Sequence, residues 1–240
     1  MNGTLTVLHL RNQPPLSVEQ ALSSIFAGEG REQRLRLEGS YSAVLARLTA
    51  PTLDASYRYL ICRPHSASAW TPVLELGNRT DGLDVELSKA LVGCDVITTF
   101  VFGEVFSGYR AARGGKLLDQ YASDPTYYAE ETAEGAPPVA SDIADLSGHP
   151  QAFVDLFPAD TTPEDFSRVV LRPGYWERLV EPAPDAADAG EDDDIVDEVD
   201  RMRCIALALE LWGPEEYPFA RELDEIPNQV VGPVIALAFA

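Results

Sequence analysis

Tyr109-Arg110-Ala111-Ala112-Arg113-Gly114-Gly115-Lys116-Leu117-Leu118-Asp119-Gln120-Tyr121 reads as a β-hairpin from its residue types alone. Two stretches of strand composition, residues 105–113 and 116–123, flank a pair of glycines. A two-residue hairpin turn needs positive φ at its central positions, and glycine enters that region without the penalty a Cβ brings. A turn this tight places Arg113 opposite Lys116 and predicts Arg110 opposite Asp119 and Gly108 opposite Tyr121. Opposite charges then meet across the ladder, and a ring covers a glycine.

Upstream, residues 96–102 are apolar or threonine at nearly every position, which predicts a central strand covered on both faces. Residues 70–76 form another apolar run, and Pro72 restricts it to a sheet edge or to the first residues of a strand. Asn78, Thr80, Asp81 and Gly82 break that run and offer Thr80 or Asp81 as a helix N-cap. Leu83, Leu87, Ala90 and Leu91 share one face of the short helix that follows, and Gly93 can end it. The passage from Leu76 through this helix to Val96 is where a parallel, right-handed crossover is expected.

From Trp70 to Tyr128, about a quarter of the chain, these pieces run in a set order. A Trp-led strand, a Leu87-Ser88 helix, a Gly108-Tyr109 strand and a Gly-Gly turn precede Asp119-Gln120-Tyr121-Ala122-Ser123-Asp124-Pro125-Thr126-Tyr127. The order resembles a pattern in bacterial proteins of unknown function. Its general character is similar to the Smi1/Knr4-like group of small acidic α+β proteins. The resemblance implies an immunity or protein-binding role and transfers no catalytic residue, because turn glycines, a proline and packing aromatics carry it.

Outward from this stretch, residues 4–11 read as an opening strand closed by Asn12-Gln13-Pro14-Pro15. Ser17 is the expected cap of a helix whose Val18, Ala21, Leu22, Ile25 and Phe26 share a face before Gly28 and Gly30. Residues 31–38 alternate as a half-exposed strand. Residues 42–48 read as a strand by alternation, although their alanines also permit a helix. In residues 56–63, Tyr57, Tyr59 and Ile61 fall on one face of a strand and Leu60 and Cys62 on the other. The fold class is therefore α+β: a mostly antiparallel sheet of about six to eight strands packed with helices, followed by a helical C-terminal region. Residues 1–128 hold the sheet and residues 129–240 the mainly helical part, as two regions or as one domain.

Within the second region, residues 129–138 are expected to be a surface linker. Ser147 is the expected cap for a helix over 150–157, and Thr162-Pro163-Glu164-Asp165 is a helix start with cap, proline and acids in place. Residues 172–180 suit a turn or two of helix around Tyr175 and Trp176. Ten of residues 181–200 are acidic, and the first half of that segment has loop composition. Asp193 or Asp194 then opens the longest helix, with Ile195, Val199, Met202, Ile205, Ala206, Leu209 and Trp212 at helical spacing up to Gly213-Pro214. A short helix over 218–225 and a terminal apolar segment complete the chain.

The 240 residues carry 39 acidic and 18 basic side chains, a formal net charge of −21. That balance opposes direct binding to nucleic-acid phosphates and suits a basic protein partner. Cys62, Cys94 and Cys204 are too far apart for a redox or zinc pattern, and with no export signal or apolar span the expectation is a cytoplasmic protein away from membranes. Phosphate-loop, serine-elbow and zinc-protease motifs are missing from the sequence, so neither cofactor nor metal is expected. His9, His65 and His149 are isolated. A Cys62/His65 nucleophile pair competes with a core thiol beside a surface imidazole. The run Glu191, Asp192, Asp193 and Asp194 could hold a divalent cation, but it lacks the glycine and spacing of an EF-hand. The same four acids, with Tyr127 and Tyr128, are the candidate partner-facing residues. These readings favour a non-enzymatic acidic binding or regulatory protein, of the immunity kind, acting through protein contact. An enzyme with a dispersed active site and a divalent-cation binder are the alternatives.

Overall fold

The computed structural model describes residues 4–64, 68–76, 82–102, 105–132, 140–171, 198–211 and 232–240. Eight strands form one sheet in which every neighbouring pair is antiparallel. They are β1 (Thr4–Arg11), β2 (Gln33–Gly39), β3 (Tyr57–Ile61), β4 (Trp70–Glu75), β5 (Asp95–Phe102), β6 (Phe106–Arg113), β7 (Lys116–Ala122) and β8 (Val234–Phe239). Their order across the sheet is β2-β8-β3-β4-β1-β5-β6-β7. The α+β class and the antiparallel sheet expected from the sequence are present.

Helices cover both faces. On one face α1 (Pro15–Gly28) and α3 (Leu83–Ala90) lie over Leu8, Leu10, Tyr59, Ile61, Val73 and Val96. On the other, α2 (Tyr41–Leu48) covers Val7, Leu60, Cys62 and Leu74. The rest of that face, at Ile97, Tyr109, Ala111 and Tyr121, is covered by a 3-10 helix (Pro150–Leu156), α6 (Pro163–Val170) and α7 (Glu198–Ala208). Two further helices, α4 (Pro125–Thr132) and α5 (Ala140–Ala144), follow β7. The alternation of Tyr59 and Ile61 against Leu60 and Cys62 divides β3 between the two faces, as its period of two requires.

Residues 42–48 are helical and not a strand. Tyr41, Val44, Leu45 and Leu48 are the buried positions of α2, spaced by three, one and three, so the apolar set fits a 3.6-residue period once Tyr41 is included. The hairpin turn is as expected, with φ of 59° at Gly114 and 80° at Gly115 and Arg113 opposite Lys116. The register beyond it is corrected by one residue. Ala112 pairs with Leu117 and Ala111 with Asp119, so Leu118 is a bulge, and Arg110 faces Gln120 while Gly108 faces Ala122.

Other boundaries shift for local reasons. Pro14, with Pro15 at the first turn, occupies the N-cap of α1 that was expected at Ser17. Gly82, at φ 67°, holds the N-cap of α3; Thr80 and Asp81 lie outside the described residues. Ala90 is exposed, and α3 instead buries Leu83, Asp84, Leu87 and Ser88. Residues 129–132 belong to α4 and not to a linker. His149, not Ser147, precedes the 3-10 helix. Thr162 caps α6 as expected, its hydroxyl accepting from the Asp165 N–H. Among the described residues α7 begins at Glu198 and ends at Ala208, before Gly213-Pro214, and Glu210 has φ 50°. The expectations for residues 172–180 and 218–225 fall outside the described residues.

Two placements depend on distant chain. Pro72 sits in an interior strand: its carbonyl accepts from Cys62 N at 2.9 Å, so its missing N–H also faces β3, where that strand is ending at Ile61. The strands on either side of α3, β4 and β5, run the same way but are not neighbours, because β1 lies between them. The terminal apolar segment is β8, buried at all six positions between β2 and β3.

Candidate interaction surface and the polar clusters behind it

Tyr127 and Tyr128 enter the structure on α4, whose first turn is set by Asp124: its carboxylate accepts from Tyr127 N at 2.9 Å, and Pro125 follows. Both rings are half-buried in an aromatic cluster at the β5–β6 end of the sheet. Tyr128 stacks on Phe100 with centroids 5.1 Å apart, and Tyr127 lies 5.6 Å from Phe106, which stacks on Phe102 at 5.3 Å. Gly108 makes room for this cluster: a Cβ there would lie 2.6 Å from the Phe100 ring and 2.0 Å from the Tyr121 carbonyl. Phe100, and not Tyr121, is therefore the ring that covers Gly108. On the same face Arg110 donates to both carboxylate oxygens of Asp84 on α3, at 2.8 and 3.3 Å, and to Gln120 Oε1 at 3.1 Å. Glu191, Asp192, Asp193 and Asp194 lie outside the described residues.

A second polar cluster, which sequence reading missed, fixes α7 to the sheet. Glu198 Oε2 accepts from Ser107 Oγ at 2.5 Å, Ser123 Oγ at 2.8 Å and Arg201 Nε at 3.1 Å. Arg201 Nη1 also donates to Tyr121 OH at 3.0 Å and to the Val170 carbonyl at the end of α6, at 2.5 Å. Both charged side chains are 1% exposed. A buried ion pair persists only when its remaining lone pairs and protons are satisfied, and here two serines, a tyrosine and a main-chain carbonyl do so. The signal was available in part: Glu198 and Arg201 sit four residues before Met202 and Ile205, on the same apolar stripe.

Asp119 organises a third cluster. Its Oδ2 accepts from Tyr109 OH at 2.7 Å and its Oδ1 from the main-chain N–H of His149 at 2.8 Å. Burial, followed by the charge of Asp119, pushes the Tyr109 hydroxyl far above its ordinary range. Burial likewise holds the Asp119 carboxyl above its usual value, against the hydrogen bonds from Tyr109 and the main chain. Nearby, His149 Nε2 is 3.4 Å from Ser147 Oγ on the exposed surface. Asp119 holds the main chain of His149, not its imidazole, so this arrangement differs from a Ser-His-Asp triad, in which the acid orients the ring. Gly148, at φ 75°, lets residues 147–149 pass against β6 and β7, where a Cβ would lie 3.1 Å from Tyr109 OH and 3.2 Å from the Tyr121 Cβ.

The other titratable candidates are core groups. His9 is fully buried on β1 beside Thr99, and desolvation lowers its pKa to about 3, so its imidazole is neutral. The buried Cys62 thiol is pushed up to about 12 by desolvation and stays protonated at neutral pH, which removes the thiolate a nucleophile needs. Its suggested partner, His65, lies outside the described residues. Burial and Asp95 push Cys94 up to about 12 as well.

Among the described residues no group of three or more His, Cys, Asp or Glu side chains is placed to hold a metal, and no helix is long and apolar enough to cross a membrane. Comparison with protein-family models, curated proteins and solved structures gives no match.

Proposed function

We propose that this chain is a non-enzymatic binding or regulatory protein, of the immunity kind, that contacts a basic protein partner through its acidic surface. The observation that carries the reading is where the charge goes. The chain has a net charge of −21, while four of the six carboxylates buried among the described residues, Asp84, Asp95, Asp119 and Glu198, are each engaged by a cation or hydroxyl inside the fold, and Glu19 is paired with Arg36. On this reading the excess acid is taken to act toward a partner, where charge of one sign speeds and selects encounters with the opposite sign. Glu191, Asp192, Asp193 and Asp194 supply the densest run of it, and Tyr127 and Tyr128 supply half-buried rings of the type enriched at interfaces.

Affinity capture from the native host at two ionic strengths tests this reading. The parent is compared with Glu191→Gln/Asp192→Asn/Asp193→Asn and with an equal-charge control, Glu29→Gln/Glu32→Gln/Glu38→Gln. A basic protein retained at low salt by the parent and the control, and weakly by the first variant, is expected. Equal retention by both variants would place the contact elsewhere, and no salt-dependent retention would remove the reading. The exposed Ser147 and His149 favour an enzyme as the second reading. Labelling by a serine-directed fluorophosphonate that disappears in Ser147→Ala would favour it.

A further inference from the structure

We infer that the outer edge of β2 is a self-association surface, along which a second copy of this chain adds its own β2 antiparallel and carries the sheet through both molecules. This contact rests on strand register and is independent of the acidic surface proposed above.

β2 ends the sheet and, among the described residues, has one neighbouring strand, β8. The opposite edge is partly covered: Ala122 N on β7 donates to the Leu146 carbonyl at 3.1 Å, and Tyr121 bridges Ser147. Which main-chain groups of β2 point outward follows from alternation, since successive residues of a strand turn their N–H and C=O to opposite neighbours. Cys62 N donates to the Pro72 carbonyl and Leu76 N to the Arg58 carbonyl, so Arg58 and Leu60 face β4 while Tyr57, Tyr59 and Ile61 face β8. Their partners Phe239, Leu237 and Ile235 face β3 in return, which turns Ala238, Ala236 and Val234 toward β2. Ala240 N, donating to the Glu32 carbonyl at 3.0 Å, fits the same alternation. Leu35, Leu37 and Gly39 therefore bond to β8, and the N–H and C=O of Arg36 and Glu38 point away from the sheet. Arg36 and Glu38 are exposed, and Leu35 and Leu37 are half-buried in the core under α2.

A second copy must join its own outward residues to these, which sets Arg36 opposite Arg36, Glu38 opposite Glu38, or Arg36 opposite Glu38. The first two place like charges directly across the ladder; the last, with its two-fold axis at Leu37, makes the opposite-charge pair twice. Each such pair exchanges both main-chain hydrogen bonds, and Leu37 meets Leu37 of the second copy at the closer, non-hydrogen-bonded spacing. Arg36 and Glu38 lie on the α1 face with their β8 partners Leu237 and Ile235, so their side chains meet on one side of the sheet. Arg36 holds Glu19 through Nε and Nη2, at 2.5 and 3.0 Å, and Nη1 takes no part in that pair. The bulge between Gln33 and Leu35 and the start of α2 at Tyr41 limit the ladder to residues 35–39. Charged side chains ordinarily protect an edge strand from pairing. Here they reject two registers and complete the third. The charge of −21 on each copy opposes approach, but screening beyond about 8–10 Å leaves the contact to local groups.

Sedimentation velocity over a concentration series at physiological salt tests the inference. The parent should show a reversible equilibrium between monomer and dimer. Glu38→Arg, which sets arginine opposite Arg36 in both pairs, should weaken the dimer about tenfold. Glu38→Pro removes an N–H directed away from β8, and should abolish the dimer while unfolding stays cooperative. Asp145→Arg, an exposed charge reversal of the same size near the opposite edge, should leave the dimer unchanged. Arg36→Glu/Glu19→Arg keeps the pair with α1 but exchanges its signs. Alone it should stay monomeric, and mixed with Glu38→Arg it should form a heterodimer, because every arginine on the ladder again meets a glutamate. A parent that stays monomeric across the series, a dimer indifferent to both Glu38 variants, or a mixture that does not associate would overturn the proposal.

Discussion

Glu198 and Arg201 form a pair whose value lies in being complete. Removing one partner leaves the other charge buried and uncompensated, a cost of about 3–5 kcal/mol, whereas removing both with apolar replacements costs far less. Arg201→Met and Glu198→Leu should therefore each lower the urea midpoint strongly, and Arg201→Met/Glu198→Leu should lose less than the sum of the two; additive losses in this double-mutant cycle would count against coupling. His9 makes a second statement at this scale. Its folded pKa, about 3, lies below the ordinary 6.5, so the unfolded chain takes up a proton before the folded one does. The stability this contributes is fully present above pH 6.5 and is lost progressively as the pH falls toward 3, by about 2 kcal/mol at pH 5. His9→Leu should flatten the stability–pH curve between pH 5 and 6.5 relative to the parent; an unchanged slope would show that another group carries it.

Among the elements, the β6–β7 hairpin is where a single residue determines which side chains meet. Without the Leu118 bulge, the Arg113–Lys116 turn would set Arg110 opposite Asp119. With it, Asp119 lies on the face that holds Tyr109, and Tyr121 reaches Arg201. Deleting Leu118 removes the bulge and keeps every cross-strand partner from Ala111 outward, so this variant should still unfold cooperatively with a modest loss of stability. Deleting Gln120 instead moves Tyr121 and Ser123 to the opposite face, and should cost more than about 3 kcal/mol, comparable to losing a buried aromatic side chain. Thermal denaturation of the two deletions side by side checks this; equal Tm values would dismiss the bulge as a register device.

Across the whole molecule, the sheet joins both ends of the chain. All six residues of β8 are buried, and it pairs with β2 on one side and β3 on the other. A chain ending at Pro233 should therefore lose cooperative unfolding, because β2 would have no neighbour and the cores over α1 and α2 would lose Ile235, Leu237, Phe239, Val234, Ala236 and Ala238. A sharp, parent-like transition in that truncation would show that β8 is dispensable. The net charge belongs to this scale too, since self-repulsion spread over the molecule opposes compactness and favours partners of opposite sign.

What the sequence determined by itself was local. The glycine pair specified the turn through its need for positive φ, the period of two in residues 56–63 specified both faces of β3, and Thr162-Pro163-Glu164-Asp165 specified the start of α6. Each of these depends on atoms within a few residues, so composition and spacing suffice. Only the tertiary structure decided the helical state of α2, the bulge at Leu118, the insertion of β1 between β4 and β5, and the central place of β8. For α2, both periods fit the apolar residues, and the area available for burial over Leu60, Leu74 and Ala236 selected the helix. The polar clusters were hidden for the same reason. Glu198 reaches Ser107 across 91 residues and Arg201 reaches Tyr121 across 80, and a buried charge is tolerated only where distant groups complete its hydrogen bonds.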